Sequence, residues 1–160
     1  SSFYCGKYEV TQMQWQSIMG YNPSYFKDKP NNPVETITLD EINLFIKRLN
    51  EMGQGVFRLL TSPEYNYIHS LDHPRTNGEL SKYVNTSATG TYEIGLYKPN
   101  LYCIYDLWGN VREVFYRGEP SKGYVSVVFN DPLKEFIANN TYAFTNKTDK
   151  TIGIRIARDN

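Results

Sequence analysis

The sequence predicts an α+β domain in which helices pack against a loop-rich β part. Three observations carry this. Before Ser70, helix caps are followed by apolar residues at helical spacing. After Asn100, short alternating runs are separated by Gly, Asn, Asp and Pro. Between the two lies a long polar stretch with neither period. A length of 160 residues suits one domain with its own core, spanning 1–160.

In chain order, "KYEV" alternates as a strand would. Thr11 then caps a helix over "QMQWQSIM", with Gly20 as its stop and Trp15, Ile18 and Met19 on one apolar face. "GYNPSYFKDKPNNP" is a Pro- and Asn-rich loop, and "VETI" reads as a short strand. Thr38 and Glu41 form a capping box, and Ile42, Phe45, Ile46 and Leu49 follow at i, i+3, i+4 and i+7. "VFRLL" is a strand leading to a second box, Thr61 and Glu64, with Pro63 in the first turn and Tyr65 and Ile68 facing inward. Beyond the polar stretch, "LYCIYDLW", "NVREVFY", "GYVSVVF", "EFIANNTYAF" and "TIGIRIA" read as strands. The run "YDLWGNVREVFYR" carries two readings. It is a hairpin turning at Gly109–Asn110, with Glu113 paired to an Arg or capping amides, or it directs Asn110 and Glu113 toward one cation.

Composition narrows the function. There are 17 basic and 17 acidic side chains, so no broad field draws nucleic acid or an anionic membrane surface. No apolar run approaches the roughly 18 residues that would cross a bilayer. No signal peptide opens the chain, and the abrupt start "SSFYCGKYEV" suits a mature or trimmed form. Cys5 and Cys103 are far apart in sequence. They are expected as free core thiols, with a single disulfide as the alternative. His69 and His73 are expected at the surface, because Pro74 disfavours the helical register that would point both at one metal. The Asn-x-Ser/Thr sequons at Asn85, Asn139 and Asn146 are put down to chance in a chain rich in Asn and Thr.

Several motifs in order resemble the formylglycine-generating-enzyme / sulfatase-modifying-factor family. They are "GKYEVTQMQW", "MGYNPSYF", "NPVETIT", "FRLLTSPEYNY", "YKPNLYCIYDLWGNVREVF" and the closing "GIRIAR". Together they run from about Gly6 to Arg158. The resemblance implies that family's C-type-lectin-like fold, loop-rich, with mixed antiparallel strands and two to three helices. It also implies a calcium role for the Gly-Asn-Val-x-Glu stretch, here Asn110, the Val111 carbonyl and Glu113, with Arg112 where the family has Trp. Apart from calcium on that reading, no cofactor is expected.

The family's enzymes oxidise a cysteine with copper held by two C-terminal cysteines. This chain has no cysteine after Cys103, and the family's Arg-Gly-Gly-Ser-Trp pattern is eroded to "KGYVS". The expectation is therefore a noncatalytic member. One branch, the variable proteins of diversity-generating retroelements, binds through its C-terminal segment. The matching residues are Asn139, Asn140, Tyr142, Phe144, Asn146 and Lys147, with a protein or surface ligand as the expected partner. The alternatives are a degenerate enzyme-family accessory subunit that docks on a partner enzyme or complex and, more weakly, oxidase activity by an unrecognised route.

Overall fold

A computed structural model describes residues 2–70, 72, 74–85, 88–117, 125–128, 141–143 and 147–160. The helices are α1 (Gln12–Met19), α2 (Leu39–Glu51), α3 (Ser62–Ser70) and the single turn α4 (Asn77–Leu80). The strands are β1 (Phe3–Cys5), β2 (Phe57–Leu59), β3 (Arg112–Tyr116), β4 (Val125–Val128), β5 (Thr141–Ala143), β6 (Ile152–Ile154) and β7 (Ile156–Asp159). They form two sheets, ordered β1-β7-β2 and β5-β4-β3-β6. Among the described strands, all pairs are antiparallel except β3 with β6, which run parallel.

The helices follow their caps. Thr11 and Thr38 each accept from the N3 amide, while Gln14 and Glu41 return the contact to the cap amide. Gly20 closes α1 in the left-handed region, at φ 84°. The apolar faces meet: Trp15 stacks on Phe45 at 4.8 Å, and Ile42 is fully buried with them. At α3, Glu64 accepts from the Thr61 amide at 2.8 Å and also grips Arg58 with both oxygens. A second cluster gathers Leu60, Tyr65, Ile68, Trp108 and Phe115.

Three expected strands are corrected. Residues 7–10 are not a strand, although Val10 donates to Ile154 at 2.9 Å, because Glu9 is drawn into the interior by Asn110 and Val111. "VETI" is a loop. The buried Glu35 carboxylate gathers the Tyr25 and Phe26 amides and the Thr36 hydroxyl, and Thr36 sits at φ 63°. "LYCIYDLW" is also loop, which removes the hairpin reading. Cys103 and Asp106 take φ 58° and 59°, which no ladder admits, and the Asn100 side chain takes the Tyr102 and Ile104 amides that a partner strand would have used.

Candidate functional site

The interior of the second sheet is organised by charge. Glu113 projects from β3 and Arg155 from the single residue between β6 and β7; they are 1% and 0% exposed. Arg155 donates from Nε and Nη2 to Glu113 Oε1, at 3.0 and 2.7 Å. Its remaining donors reach the Gly6 and Tyr105 carbonyls at 3.0 and 2.8 Å. One planar guanidinium thus ties the N-terminal segment, the 100–111 loop, β3 and the C-terminal strands together.

Beside it, Asn110 sits at φ 62°. Its side chain clasps Tyr92, accepting from the amide at 3.0 Å and donating to the carbonyl at 3.1 Å, and it donates to Glu9 at 2.8 Å. Glu9 also accepts from the Val111 amide at 3.1 Å. Burial, then the charges of Asp106 and Glu113, pushes the Glu9 carboxyl well above its ordinary range. Burial likewise raises that of Asp106, against the Gly95 amide it accepts from. Gly109 serves a purpose other than the bend expected of it. A Cβ there would lie 2.1 Å from Val84, so glycine admits a close neighbour, while the left-handed residue is Asn110.

Calcium takes six to eight oxygens. Of the expected ligands, the Asn110 side chain bonds Tyr92 and Glu9, and Glu113 Oε1 faces a guanidinium; at Val111 the amide, not the carbonyl expected as a ligand, meets Glu9. Glu113 Oε2 is a buried carboxylate oxygen without a hydrogen-bond partner, and two side chains with one carbonyl fall short of a full calcium shell on their own. Asp106, which the sequence reading passed over, carries a second buried oxygen without a partner. Among the described residues, no three His, Cys, Asp or Glu side chains converge to hold a metal. Arg112, by contrast, turns outward. It meets Asp149 at 2.8 Å and also bonds Thr151.

Of the expected binding residues, Asn139, Asn140, Phe144 and Asn146 lie outside the described residues, as does His73. Tyr142 stands on β5 opposite Val127, and Lys147 is exposed. The downstream end of this segment is fastened: the Asp149 carbonyl accepts from the Thr36 amide at 3.2 Å, and the Lys150 ammonium lies 4.9 Å from the Tyr25 ring centroid.

His69 corrects the surface expectation. It is 3% exposed, stacked on Tyr65 at 4.3 Å and edge-on to Trp108. Both cysteines are free, as one reading had it, but Cys103 is exposed rather than core. Cys5 is partly buried, and desolvation pushes its thiol up to about 11.

No protein-family model matches the chain. A 38-residue stretch, 24% of the chain, is 60% identical to the chaperone protein LppX of Paenibacillus barcinonensis. The match spans 13% of that protein's length. Solved structures resemble the whole chain. Treponema denticola variable protein 1 superposes with a TM-score of 0.80 at 20% identity, covering 100% of this chain and 85% of its own. PvdO from Pseudomonas aeruginosa gives 0.78 at 18% identity, covering 99% and 80%. CarF gives 0.72 at 16% identity, covering 99% and 86%. The fold is C-type-lectin-like, a mixed α/β domain with largely antiparallel sheets and few helices.

Proposed function

We propose that this domain is a noncatalytic recognition module, akin to the variable proteins of diversity-generating retroelements, and that it binds a protein or surface ligand through its C-terminal segment. The observation that carries the reading is the likeness in fold to variable protein 1 over the full chain. The wiring of the interior supports it. The polar groups of Glu9, Asn110, Glu113 and Arg155 are engaged in fastening loops to one another, which suits a scaffold whose surface residues can change while the frame holds. The segment's downstream anchor at Asp149, with exposed Lys147 ahead of it, suits a face presented from that frame. To test it, Asn139, Asn140, Tyr142, Phe144, Asn146 and Lys147 are replaced together by Ser. The variant should melt like the parent yet fail to retain the partner that the parent captures. Equal capture by both would sink the reading.

The scaffold, in this proposal, is of the formylglycine-generating-enzyme type without its activity. A copper ligand needs a thiolate, and burial drives Cys5 the opposite way. Incubation with a Cys-x-Pro-x-Arg peptide, copper and oxygen should give no turnover. Turnover abolished by mutating Cys5 or Cys103 would overturn this. One observation favours the accessory-subunit reading: exposed Tyr67 of α3 bonds exposed Tyr102 through their hydroxyls at 2.6 Å, next to Leu101, which is 73% exposed. A partner lost in Tyr67→Ser/Leu101→Ser, but retained when the C-terminal residues change, would establish docking on that side.

A further inference from the structure

A cavity of about 440 Å³ opens between the first sheet and helices α1 and α2. Its walls are apolar: Val10, Ile18, Phe45, Leu49, Phe57 and Ile156. Val10 and Phe45 are buried, while Ile18, Leu49, Phe57 and Ile156 keep part of their surface open. Two cations, Lys7 and Arg158, also line it. Arg158 is held in place. Its guanidinium lies 4.5 Å from the Tyr4 ring centroid, and its stem crosses Gly55 so closely that a Cβ there would sit 2.7 Å from Cδ. The Lys7 ammonium stands 5.5 and 5.4 Å from the ring centroids of Tyr8 and Tyr105. The one acidic residue in the lining, Glu9, has its carboxyl turned to Asn110 and Val111 and held toward its neutral form by burial. Among the described residues no acidic side chain pairs with Lys7 or Arg158, so the cavity combines a largely apolar wall with positive charge.

We propose that this cavity binds a small amphipathic anion, with one unbranched apolar tail against the α1–α2 wall and one carboxylate-type head at Arg158 and Lys7. The volume suits it: at about 30 Å³ for a group the size of a water or a methylene, it holds on the order of a dozen heavy atoms. The charge suits it as well, since a neutral or cationic head would forfeit the two donors. This inference does not rest on the proposed function: the cavity is built from the first sheet and the α1–α2 wall, and Lys147, the one binding residue whose side chain is described, does not line it.

The probe is decanoate, titrated into the full chain by calorimetry and by the fluorescence of Trp15, which stacks on the cavity residue Phe45. From hexanoate to decanoate, affinity should rise about fourfold per methylene. Decanol and decyltrimethylammonium should bind about tenfold more weakly or worse. Arg158→Ala should bring decanoate down toward decanol while leaving decanol unchanged. Leu49→Trp, which fills the cavity, should abolish binding with unaltered circular dichroism. The proposal falls if affinity ignores chain length, if the ammonium compound binds as well as decanoate, or if a folded Leu49→Trp retains binding. Should Leu49→Trp not fold, the chain-length and head-group series on the parent protein decides the matter.

Discussion

The facing sides of α1 and α2 and the stretch from Asp106 to Glu113 both carry buried residues, and they are held by opposite chemistry. In the first, Trp15, Ile42 and Phe45 are 0–2% exposed and touch only through apolar surface. In the second, Asp106, which accepts from the Gly95 amide, and Glu113 with its partner Arg155 are equally hidden, and contact is made through directed hydrogen bonds. Apolar burial is non-directional and tolerates a change of shape. A buried ion pair does not, because removing one partner leaves the other charge desolvated. Arg112 and Glu113 make the same point within one strand. The outward residue pairs with Asp149, whose side chain is 40% exposed, and the inward one pairs with a residue at 0%. The first pair contributes little in water, while the second fixes four segments at once.

The sharpest way to break this comparison is to truncate both regions and then restore them conservatively. Arg155→Ala should cost about 3–5 kcal/mol, enough to unfold a marginal domain. Phe45→Ala should cost roughly 3–5 kcal/mol as well. Conservative replacements should part the two. Phe45→Leu should recover most of the loss, whereas Arg155→Lys should recover little, because an ammonium cannot reach Glu113 and both carbonyls together. Denaturant melts of the four variants give the answer. Equal recovery by both would mean the joint is no more directional than the core.

Titration separates the regions next. Glu9 and Asp106 have raised carboxyl pKa values, so the folded state holds their protons more tightly than the unfolded state. Stability from these groups is fully present below the unfolded value, 4.5 for Glu9, and is lost as pH rises through the folded one. The slope is at most about 1.4 kcal/mol per pH unit and group. Calorimetric melts should therefore weaken with rising pH above the usual carboxylate range, and Glu9→Gln should flatten that slope. An unchanged slope would remove Glu9 as its source.

Thr38→Ala tests the helical region at its edge, where loss of the cap should cost on the order of 1 kcal/mol in the same melts. A loss as large as that of Phe45→Ala would mean α2 is held at its end rather than by its face. The smallest effect belongs to calcium. With Glu113 committed to Arg155, adding the ion or a chelator should move the melting temperature little. A calcium-dependent rise above about 5 °C, absent in Glu113→Gln, would show that the ion belongs to the joint.

What the sequence determined by itself was whatever depends on neighbours a few residues away. The caps at Thr11 and Thr38, the stop at Gly20 and the apolar face at Ile42, Phe45 and Ile46 are short-range patterns, and all stand in the fold. The interior position of Tyr65 and Ile68 followed the same rule. The Asn110–Glu113 stretch could be picked out for its composition, and an arginine was among the partners expected of Glu113, but neither Arg155 in particular nor Glu9 as the partner of Asn110 and Val111 could be named. Glu9 meets Asn110 and Val111 across roughly a hundred residues, and Asp106 sat in a run read as a strand, with nothing in the sequence to mark it as buried. Periodicity misled where side chains organise loops: "VETI" and "LYCIYDLW" alternate like strands, yet Glu35 gathers the Tyr25 and Phe26 amides of the preceding loop, and Asn100 takes the Tyr102 and Ile104 amides a ladder would need. His69 looked like a surface residue because nothing local announces a stack with Trp108. Only the tertiary structure could decide these points, because a buried polar group chooses its partner by distance in space, and the low dielectric around it makes that choice binding.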